Sequence, residues 1–157
     1  MVAPWSGFRI EPGSGWRASR YPKEVYRYWQ KVTTRWADND VYGHVNNAVY
    51  FTYIDSVVNQ FLIESAVLDI HAGRVIGLVV SSECQFFKPL SYPGVVDCGL
   101  RVRRLGSSSV TYEVGLFLPD DASVAAVGGF THVYVDRQSR RPHPLPESLR
   151  SVLHTLE

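Results

Sequence analysis

The sequence predicts an α+β domain in which an antiparallel sheet of about five strands wraps around one long central helix. One segment free of proline and glycine is apolar over a wide helical arc, so other elements must enclose it. The segments after it alternate apolar and polar residues with period two and are joined by short turns, as antiparallel strands are. A sheet that curls around the helix buries it.

The first 24 residues predict an irregular arm, because they contain proline and glycine without apolar periodicity. Residues 25–157 then form a single domain, for which a composition that is 45% hydrophobic provides a core. The segment from Val25 to Trp36 opens this domain as a strand. Most of its aromatic and β-branched residues fall on one parity and its charged residues on the other.

A long helix follows, from Asn47 to about Ser65. Asn46 is a suitable N-cap, because its side chain can accept a hydrogen bond from an amide of the first turn. The apolar residues of the helix recur at helical spacing over a wide arc: Val49, Tyr50, Tyr53, Ile54, Val57, Val58, Phe61 and Leu62. A helix with so narrow a polar stripe is expected to be largely enclosed.

The rest of the chain is β in character up to a proline-rich tail. Four strands are predicted, over residues 76–87, 95–105, 110–118 and 124–136. Gly106-Ser107-Ser108 is predicted to be a three-residue hairpin loop, which places Arg101 opposite Glu113 and Val102 opposite Tyr112. A short helix is predicted from Pro146.

Composition and charge exclude several classes of function. A net charge of +1 provides no field for nucleic acid or an anionic membrane, and no apolar run approaches the ~20 residues of a membrane span. Cys84 and Cys98 fall in predicted strands without metal-binding spacing, so we expect packed, reduced thiols and a cytoplasmic protein. The exposed edges of the sheet are expected to pair between copies, giving at least a dimer.

The loop before the helix holds the residues suited to chemistry, in the run Asp38-Asn39-Asp40-Val41-Tyr42-Gly43-His44-Val45-Asn46. A helix N-terminus offers unpaired N–H groups and a partial positive charge. A carbonyl group placed there is stabilised as it gains negative charge in a transition state. Asp40 lies a few residues upstream, so its carboxylate can attack the same carbonyl or deprotonate a water molecule.

This run, continued by Asn47 and Tyr50, resembles the signature of hot-dog-fold acyl-CoA thioesterases of the 4-hydroxybenzoyl-CoA thioesterase type. Two weaker patches resemble the same family: Phe87-Lys88-Pro89-Leu90 with Gly94, and Val133-Tyr134-Val135-Asp136-Arg137. The resemblance covers residues 25–146 and implies a hot-dog fold, a homodimer or homotetramer, and an active site between subunits. It also implies that Asp40 is the catalytic residue and that the backbone N–H of Asn47 polarises the thioester carbonyl.

The implied activity is hydrolysis of acyl-CoA to a carboxylic acid and CoA, and we expect no cofactor and no metal. The substrate site is predicted to include Tyr42, Gly43, His44, Val45, Asn46, Asn47 and Lys88. Structural roles remain open for several of these residues. Gly43 can supply a positive φ, His44 can hold the loop by hydrogen bonding, and Asn46 can act as a cap alone. Asp38 is expected to hydrogen bond to loop amides.

Lys88 is one of several basic residues that can contact CoA phosphates; the others are Arg101, Arg103, Arg104, Arg137, Arg140 and Arg141. A calcium loop is excluded, because Tyr42 and Val49 occupy positions that need oxygen ligands. The motifs GxSxG and HExxH are absent. The helix has no histidine, which disfavours a hot-dog hydratase. A non-catalytic hot-dog protein that binds acyl-CoA or acts as a structural subunit remains the main alternative.

Overall fold

A computed structural model describes residues 20–157, so the predicted N-terminal arm lies outside the described residues up to residue 19. The strands are β1 (Tyr28–Thr33), β2 (Val75–Phe86), β3 (Val95–Leu105), β4 (Ser109–Phe117) and β5 (Ala126–Asp136). The helices are α1 (Asn47–Glu64) and α2 (Glu147–His154). The strands form one antiparallel sheet in the order β1-β3-β4-β5-β2, and α1 packs against it. The predicted fold class is confirmed.

The central helix lies where its apolar arc predicts. Seven of its residues are buried: Tyr50, Tyr53, Ile54, Val57, Val58, Phe61 and Leu62. They join one core cluster with side chains from the sheet and from α2. Asn46 is the predicted N-cap, since its side chain accepts a hydrogen bond of 2.9 Å from the N–H of Ala48. Among residues 20–157, no helix is long and apolar enough to cross a membrane.

The hairpin of β3 and β4 has the predicted register. The loop between the strands comprises residues 106–108, and Arg101 pairs with Glu113 while Val102 pairs with Tyr112. The Nε of Arg101 lies 2.8 Å from Oε1 of Glu113, which is almost fully buried. The apolar faces of the two strands therefore match, and the charged pair lies on the opposite face of the sheet.

The first strand is shorter than predicted. The period-two pattern extends to Trp36, but the strand ends at Thr33 and a 3₁₀ turn follows over Trp36–Asp38. The turn forms because the carboxylate of Asp38 accepts a hydrogen bond of 2.7 Å from the N–H of Arg35. The Trp36 side chain is consequently 79% exposed. The prediction that the strand continues through Trp36 was wrong.

The two cysteines are free, as predicted. Cys98 is fully buried in the core and Cys84 is half-buried on β2. Burial raises the pKa of each thiol to about 12. Both thiols are therefore protonated at neutral pH and pack as small apolar groups.

Candidate active site

The loop between β1 and α1 is a small hairpin, and Asp40 is the first residue of its closing turn. Asn39 and Val45 form an isolated antiparallel bridge. The N–H of Asp40 donates to the carbonyl of His44 at 2.8 Å, and the N–H of Gly43 donates to the carbonyl of Asp40 at 3.1 Å. Gly43 has a φ of +78°, in the left-handed region that favours glycine. Residues 40–44 are hereafter called the Asp40 turn.

The carboxylate of Asp40 is half-buried and only partly engaged. Its Oδ1 accepts a hydrogen bond of 2.8 Å from the N–H of Tyr42. Nothing in the described part of the chain donates to its Oδ2. The pKa of Tyr50 is raised mainly by burial and in part by the negative charge of Asp40. The carboxylate therefore lies within electrostatic range of the first turn of α1, with one oxygen available.

The start of α1 has one amide available. The N–H of Ala48 is capped by the Asn46 side chain at 2.9 Å, and the N–H of Val49 donates to the Asn46 carbonyl, also at 2.9 Å. The N–H of Asn47 finds no acceptor within residues 20–157. Asn47 is exposed and is the first residue of the helix, where the partial positive charge of the helix dipole is centred.

Asp38, the other carboxylate of the loop, is 1% exposed and fully engaged. Its Oδ2 accepts hydrogen bonds from the Tyr53 hydroxyl at 2.6 Å and from the Arg35 N–H at 2.7 Å. Its Oδ1 lies 2.9 Å from a guanidinium nitrogen of Arg35. Burial raises the pKa of Asp38, but hydrogen bonds from Tyr53 and Arg35 outweigh it and hold that pKa below its ordinary value. This is the structural role predicted for Asp38.

The connection between β2 and β3 hydrogen bonds to residues on both sides of the Asp40 turn and to the first turn of α1. The N–H of Val45 donates to the Leu90 carbonyl at 2.8 Å, and the N–H of Leu90 donates to the Tyr50 hydroxyl at 3.2 Å. The N–H of Tyr92 donates to Oδ1 of Asn39 at 2.9 Å. Sequence reasoning missed these residues, because no local pattern joins positions that lie 53 apart.

The remaining predicted site residues occupy different environments. Tyr42 is 80% exposed at the turn, and His44 is half-buried and contributes its carbonyl. Val45 is 4% exposed and packs in the core, which does not favour contact between its side chain and substrate. The Nζ of Lys88 lies 2.5 Å from Oδ2 of Asp121 and also contacts the Ser123 hydroxyl. A phosphate at Lys88 would have to compete with this pair.

Three large apolar side chains on the Asp40 turn and in the segment before it are exposed. Trp36, Val41 and Tyr42 are 79%, 94% and 80% exposed. The rings of Trp36 and Tyr92 meet edge to face with centroids 5.9 Å apart. Within residues 20–157, His, Cys, Asp and Glu side chains form no group of three that could hold a metal ion.

An antiparallel sheet packed around one long central helix is the architecture of hot-dog proteins, a class that includes thioesterases. Comparison with known families gives the same class. The chain belongs to the thioesterase-like superfamily, whose family model matches residues 34–153.

Individual relatives and solved structures are similar to the chain over most of its length. The chain is 29% identical over 134 residues to the 1,4-dihydroxy-2-naphthoyl-CoA hydrolase of Rippkaea orientalis (strain PCC 8801 / RF-1), covering 80% of this chain and 94% of that protein. The solved PA5185 protein of Pseudomonas aeruginosa strain PAO1 is 50% identical, with a TM-score of 0.83 and coverage of 87% and 95%. A Thermus thermophilus thioesterase complexed with coenzyme A and Zn is 28% identical, with a TM-score of 0.71 and coverage of 85% and 96%.

Proposed function

We propose that the protein hydrolyses acyl-CoA thioesters to a carboxylic acid and CoA, with Asp40 as nucleophile or general base. The backbone N–H of Asn47 polarises the thioester carbonyl. One observation carries the proposal: within residues 20–157, the turn that leads into α1 holds a carboxylate oxygen without a donor, and the first residue of α1 has an N–H without an acceptor. The relative named as a 1,4-dihydroxy-2-naphthoyl-CoA hydrolase and the neighbour solved with coenzyme A support CoA thioesters as the substrate class.

The helix start suits a carbonyl oxygen that becomes negatively charged. When the carbonyl carbon becomes tetrahedral, the N–H of Asn47 can donate to the developing oxyanion. α1 has 18 residues, so its dipole is well developed, and it contributes roughly half a positive charge at this end. Loss of one such donor typically lowers kcat by about 10²–10³-fold. The amide and the dipole therefore supply a substantial part of the stabilisation that the reaction needs.

Asp40 can act by either of two routes. In the first, Oδ2 attacks the carbonyl carbon, the C–S bond breaks, CoA thiolate leaves, and water hydrolyses the resulting anhydride. In the second, the carboxylate takes a proton from a water molecule that attacks the carbonyl carbon directly. Because a thiol has a pKa of ~8.5, the thiolate leaves without a strong acid beside it. Label found in Asp40 after single turnover in isotopically labelled water supports the anhydride route.

We further propose that two copies pair through β2 to form a homodimer. β2 has 12 residues and hydrogen bonds to β5 along one side, and it ends the sheet within residues 20–157. Its middle residues Leu78, Val79 and Val80 are 36%, 50% and 61% exposed. A long apolar edge strand is a template for pairing, and antiparallel pairing with the same strand of a second copy gives a closed two-fold dimer.

A panel of acyl-CoA substrates, assayed by release of free thiol, tests the activity. We expect turnover by the wild-type protein and a loss of at least about a hundredfold in both Asp40→Asn and Asp40→Ala. Asp120→Asn is the matched control, because Asp120 is an exposed turn residue with a φ of +61°, a conformation that asparagine tolerates. The control is expected to keep wild-type turnover.

Each alternative gives a different result in this assay. Unchanged turnover in both Asp40 variants would remove Asp40 from the mechanism. Absence of turnover on every acyl chain, with measurable acyl-CoA binding by calorimetry, would identify a non-catalytic binding protein instead.

A further inference from the structure

A cavity of about 240 Å³ lies beneath the C-terminal half of α1. The start of β2 and the end of β5 also line it, leucine and isoleucine side chains, including Ile76, form its apolar walls, and it is partly open to the surface. Its polar lining comes from Asn59, His132 and Arg137 together with Tyr134. A cavity of about 150 Å³ is enough to bind benzene. This one therefore has room for a substituted aromatic ring or a short acyl chain.

His132 is the unusual group in this cavity. It is 6% exposed, and its ring packs against Tyr112, Phe130 and Tyr134 with centroids 5.6, 4.7 and 5.8 Å away. Its Nδ1 is buried and has no hydrogen-bond partner in the described region, and a Cβ on Gly77 would lie only 2.9 Å from it. Because Nδ1 is buried against Gly77, Nε2 is the ring nitrogen that can hydrogen bond to a ligand.

The protonation of His132 follows from its burial. Burial lowers the pKa of His132 to about 4, so the ring is neutral at neutral pH. A neutral imidazole carries one N–H and one lone pair. A buried N–H without an acceptor is rarer than a buried acceptor without a donor, so we assign the proton to Nε2. His132 then offers a hydrogen-bond donor to the cavity.

The hydrogen bonds of the other polar groups restrict which ligand groups the cavity can bind. The guanidinium of Arg137 already donates to two carbonyls of the loop before β2, each at 2.7 Å. Asn59 uses its NH₂ group on Asp55 and leaves its Oδ1 without a donor from residues 20–157. A donor on His132 and an acceptor on Asn59 together match a hydroxyl group, which accepts one hydrogen bond and donates another.

The Asp40 turn of the same copy is too far away to place a small acyl group here. Between Asn47 and Asn59, α1 rises about 18 Å. The turn lies at the end of β2 that contains Phe86, whose ring is 4.9 Å from that of Tyr50. The cavity lies at the opposite end of β2, beside Ile76.

Antiparallel pairing of β2 with β2 of a second copy removes this separation, because it brings opposite ends of the two strands together. The Phe86 end of one copy then lies beside the Ile76 end of the other. The active site between subunits that the family resemblance implies would then place the acyl group of a thioester held at the Asp40 turn of one copy in the cavity of the other copy. We infer that His132 and Asn59 are specificity-determining residues in that cavity and select a compact acyl group that carries a hydroxyl. The inference rests on the proposed function.

Thioester pairs that differ by one hydroxyl test the selection: benzoyl-CoA with its hydroxy derivatives, and hexanoyl-CoA with and without a terminal hydroxyl. For at least one pair, we expect the wild-type protein to favour the hydroxylated member by about tenfold in kcat/KM. In His132→Phe, which keeps a ring in the aromatic cluster, that ratio should fall to about one. His143→Phe, in the tail outside the cavity, should keep the wild-type ratio. A wild-type ratio near one for every pair, or a ratio unchanged in His132→Phe, overturns the selection.

Mixed dimers test whether the two sites belong to different copies. A dimer of one Asp40→Asn subunit and one His132→Phe subunit has a single active carboxylate. If the cavity is supplied by the other copy, that carboxylate works with an intact His132, and the hydroxyl preference of the wild type is retained. If each copy uses its own cavity, the preference is lost, and the cross-copy arrangement is wrong.

Binding of free hydroxylated acids separates this inference from the proposed function. Calorimetry on Asp40→Asn should detect hydroxybenzoate binding that is lost in the double variant with His132→Phe. If no thioester is hydrolysed but this binding and its loss are observed, the proposed function fails and the role of His132 stands. If thioesters are hydrolysed but His132→Phe changes neither binding nor selectivity, the role of His132 fails alone.

Discussion

The hydroxyl of Tyr53 donates a 2.6 Å hydrogen bond to the buried carboxylate of Asp38, 15 residues earlier in the chain. Tyr53 lies on the second turn of α1, and the backbone carbonyl of Asp38 accepts a hydrogen bond of 2.8 Å from the N–H of Asn46. The helix therefore holds the base of the hairpin whose closing turn begins at Asp40. The two carboxylates of the loop thus differ, because Asp38 is fixed by hydrogen bonds, whereas Asp40 has one oxygen without a donor in residues 20–157.

Tyr53→Phe should destabilise the protein by about 1–3 kcal/mol, because it leaves a buried oxygen of Asp38 short of one donor. It should also lower kcat/KM, because the base of the Asp40 hairpin loses a contact with the helix. Urea unfolding and the thiol-release assay measure the two effects. Tyr42→Phe serves as the stability control, since its 80% exposed side chain should change the free energy of unfolding by less than about 0.5 kcal/mol. Equal stability of the two variants would contradict the anchoring role of Tyr53.

Gly43→Ala should destabilise the protein by about 1–2 kcal/mol, because an L side chain resists the left-handed region. The residue has a φ of +78°, and an added Cβ would meet no heavy atom within 4 Å, so the cost is conformational and not steric. Gly43→Asn should cost less, since asparagine adopts this region more readily than alanine does. Denaturation midpoints of the three proteins give the comparison. Equal midpoints for Gly43→Ala and the wild-type protein would mean that the turn changes conformation in the variant.

The local sequence pattern was sufficient to predict the elements whose residues interact with near neighbours in the chain. The β3–β4 hairpin follows from the alternation of apolar and polar residues and a three-residue loop. The predicted register was correct, since Arg101 pairs with Glu113. The cap at Asn46 was predictable for the same reason, because its partner Ala48 is two residues away. The same pattern gave a wrong prediction at Trp36. There the apolar period continues, but the Asp38 carboxylate accepts a hydrogen bond from the backbone N–H of Arg35 and the chain forms a 3₁₀ turn.

The contacts that hold the site together could not be predicted from the sequence, because they join segments that are far apart in the chain. Asn39 meets Tyr92 across 53 positions, and Lys88 meets Asp121 across 33. Nothing near Lys88 in the chain indicates that its charge is already paired. His132 likewise alternates as an ordinary strand residue, and its closed-off Nδ1 becomes visible only when Gly77 of the neighbouring strand lies against it.

Asn46→Asp should separate stability from catalysis. An aspartate keeps the side-chain acceptor for the N–H of Ala48 and adds a favourable charge to the helix dipole, so stability should be retained. The same charge opposes an oxyanion at the Asn47 amide, so kcat/KM should fall by at least about tenfold. Asn46→Ala should instead lose about 1 kcal/mol of stability along with the cap. Full turnover in Asn46→Asp would argue against carbonyl binding at the helix start.

Val80→Lys should convert the proposed dimer to monomers. Val80 is 61% exposed on β2, and a two-fold interface brings its two copies close together, so that like charges repel. Sedimentation equilibrium measures the mass. If the proposed acyl cavity is supplied by the other copy, kcat/KM should fall with dissociation. Thr33→Lys, on β1 at the opposite edge of the sheet, is the matched control and should remain dimeric. A wild-type protein that is monomeric at micromolar concentration contradicts pairing through β2.

His132 should make the protein less stable as the pH falls, and His132→Phe should remove that part of the dependence. Burial lowers the pKa of His132 to about 4 from an ordinary value of 6.5. Below pH 6.5 the unfolded chain binds a proton that the folded protein does not, so the free energy of unfolding decreases until the pH nears 4. The slope within this window is at most about 1.4 kcal/mol per pH unit.

Urea unfolding at a series of pH values from about 7.5 down to about 4.5 should show wild type losing stability faster than His132→Phe. Carboxylates with lowered pKa values, such as Asp38, titrate in both proteins, so the difference between the two curves isolates the histidine. His143→Phe should follow the wild-type curve, because its half-buried ring lies in the tail and not in the cavity. Parallel curves for wild type and His132→Phe would mean that the imidazole can bind a proton in the folded state, and that the cavity holds a charged histidine instead of a neutral donor.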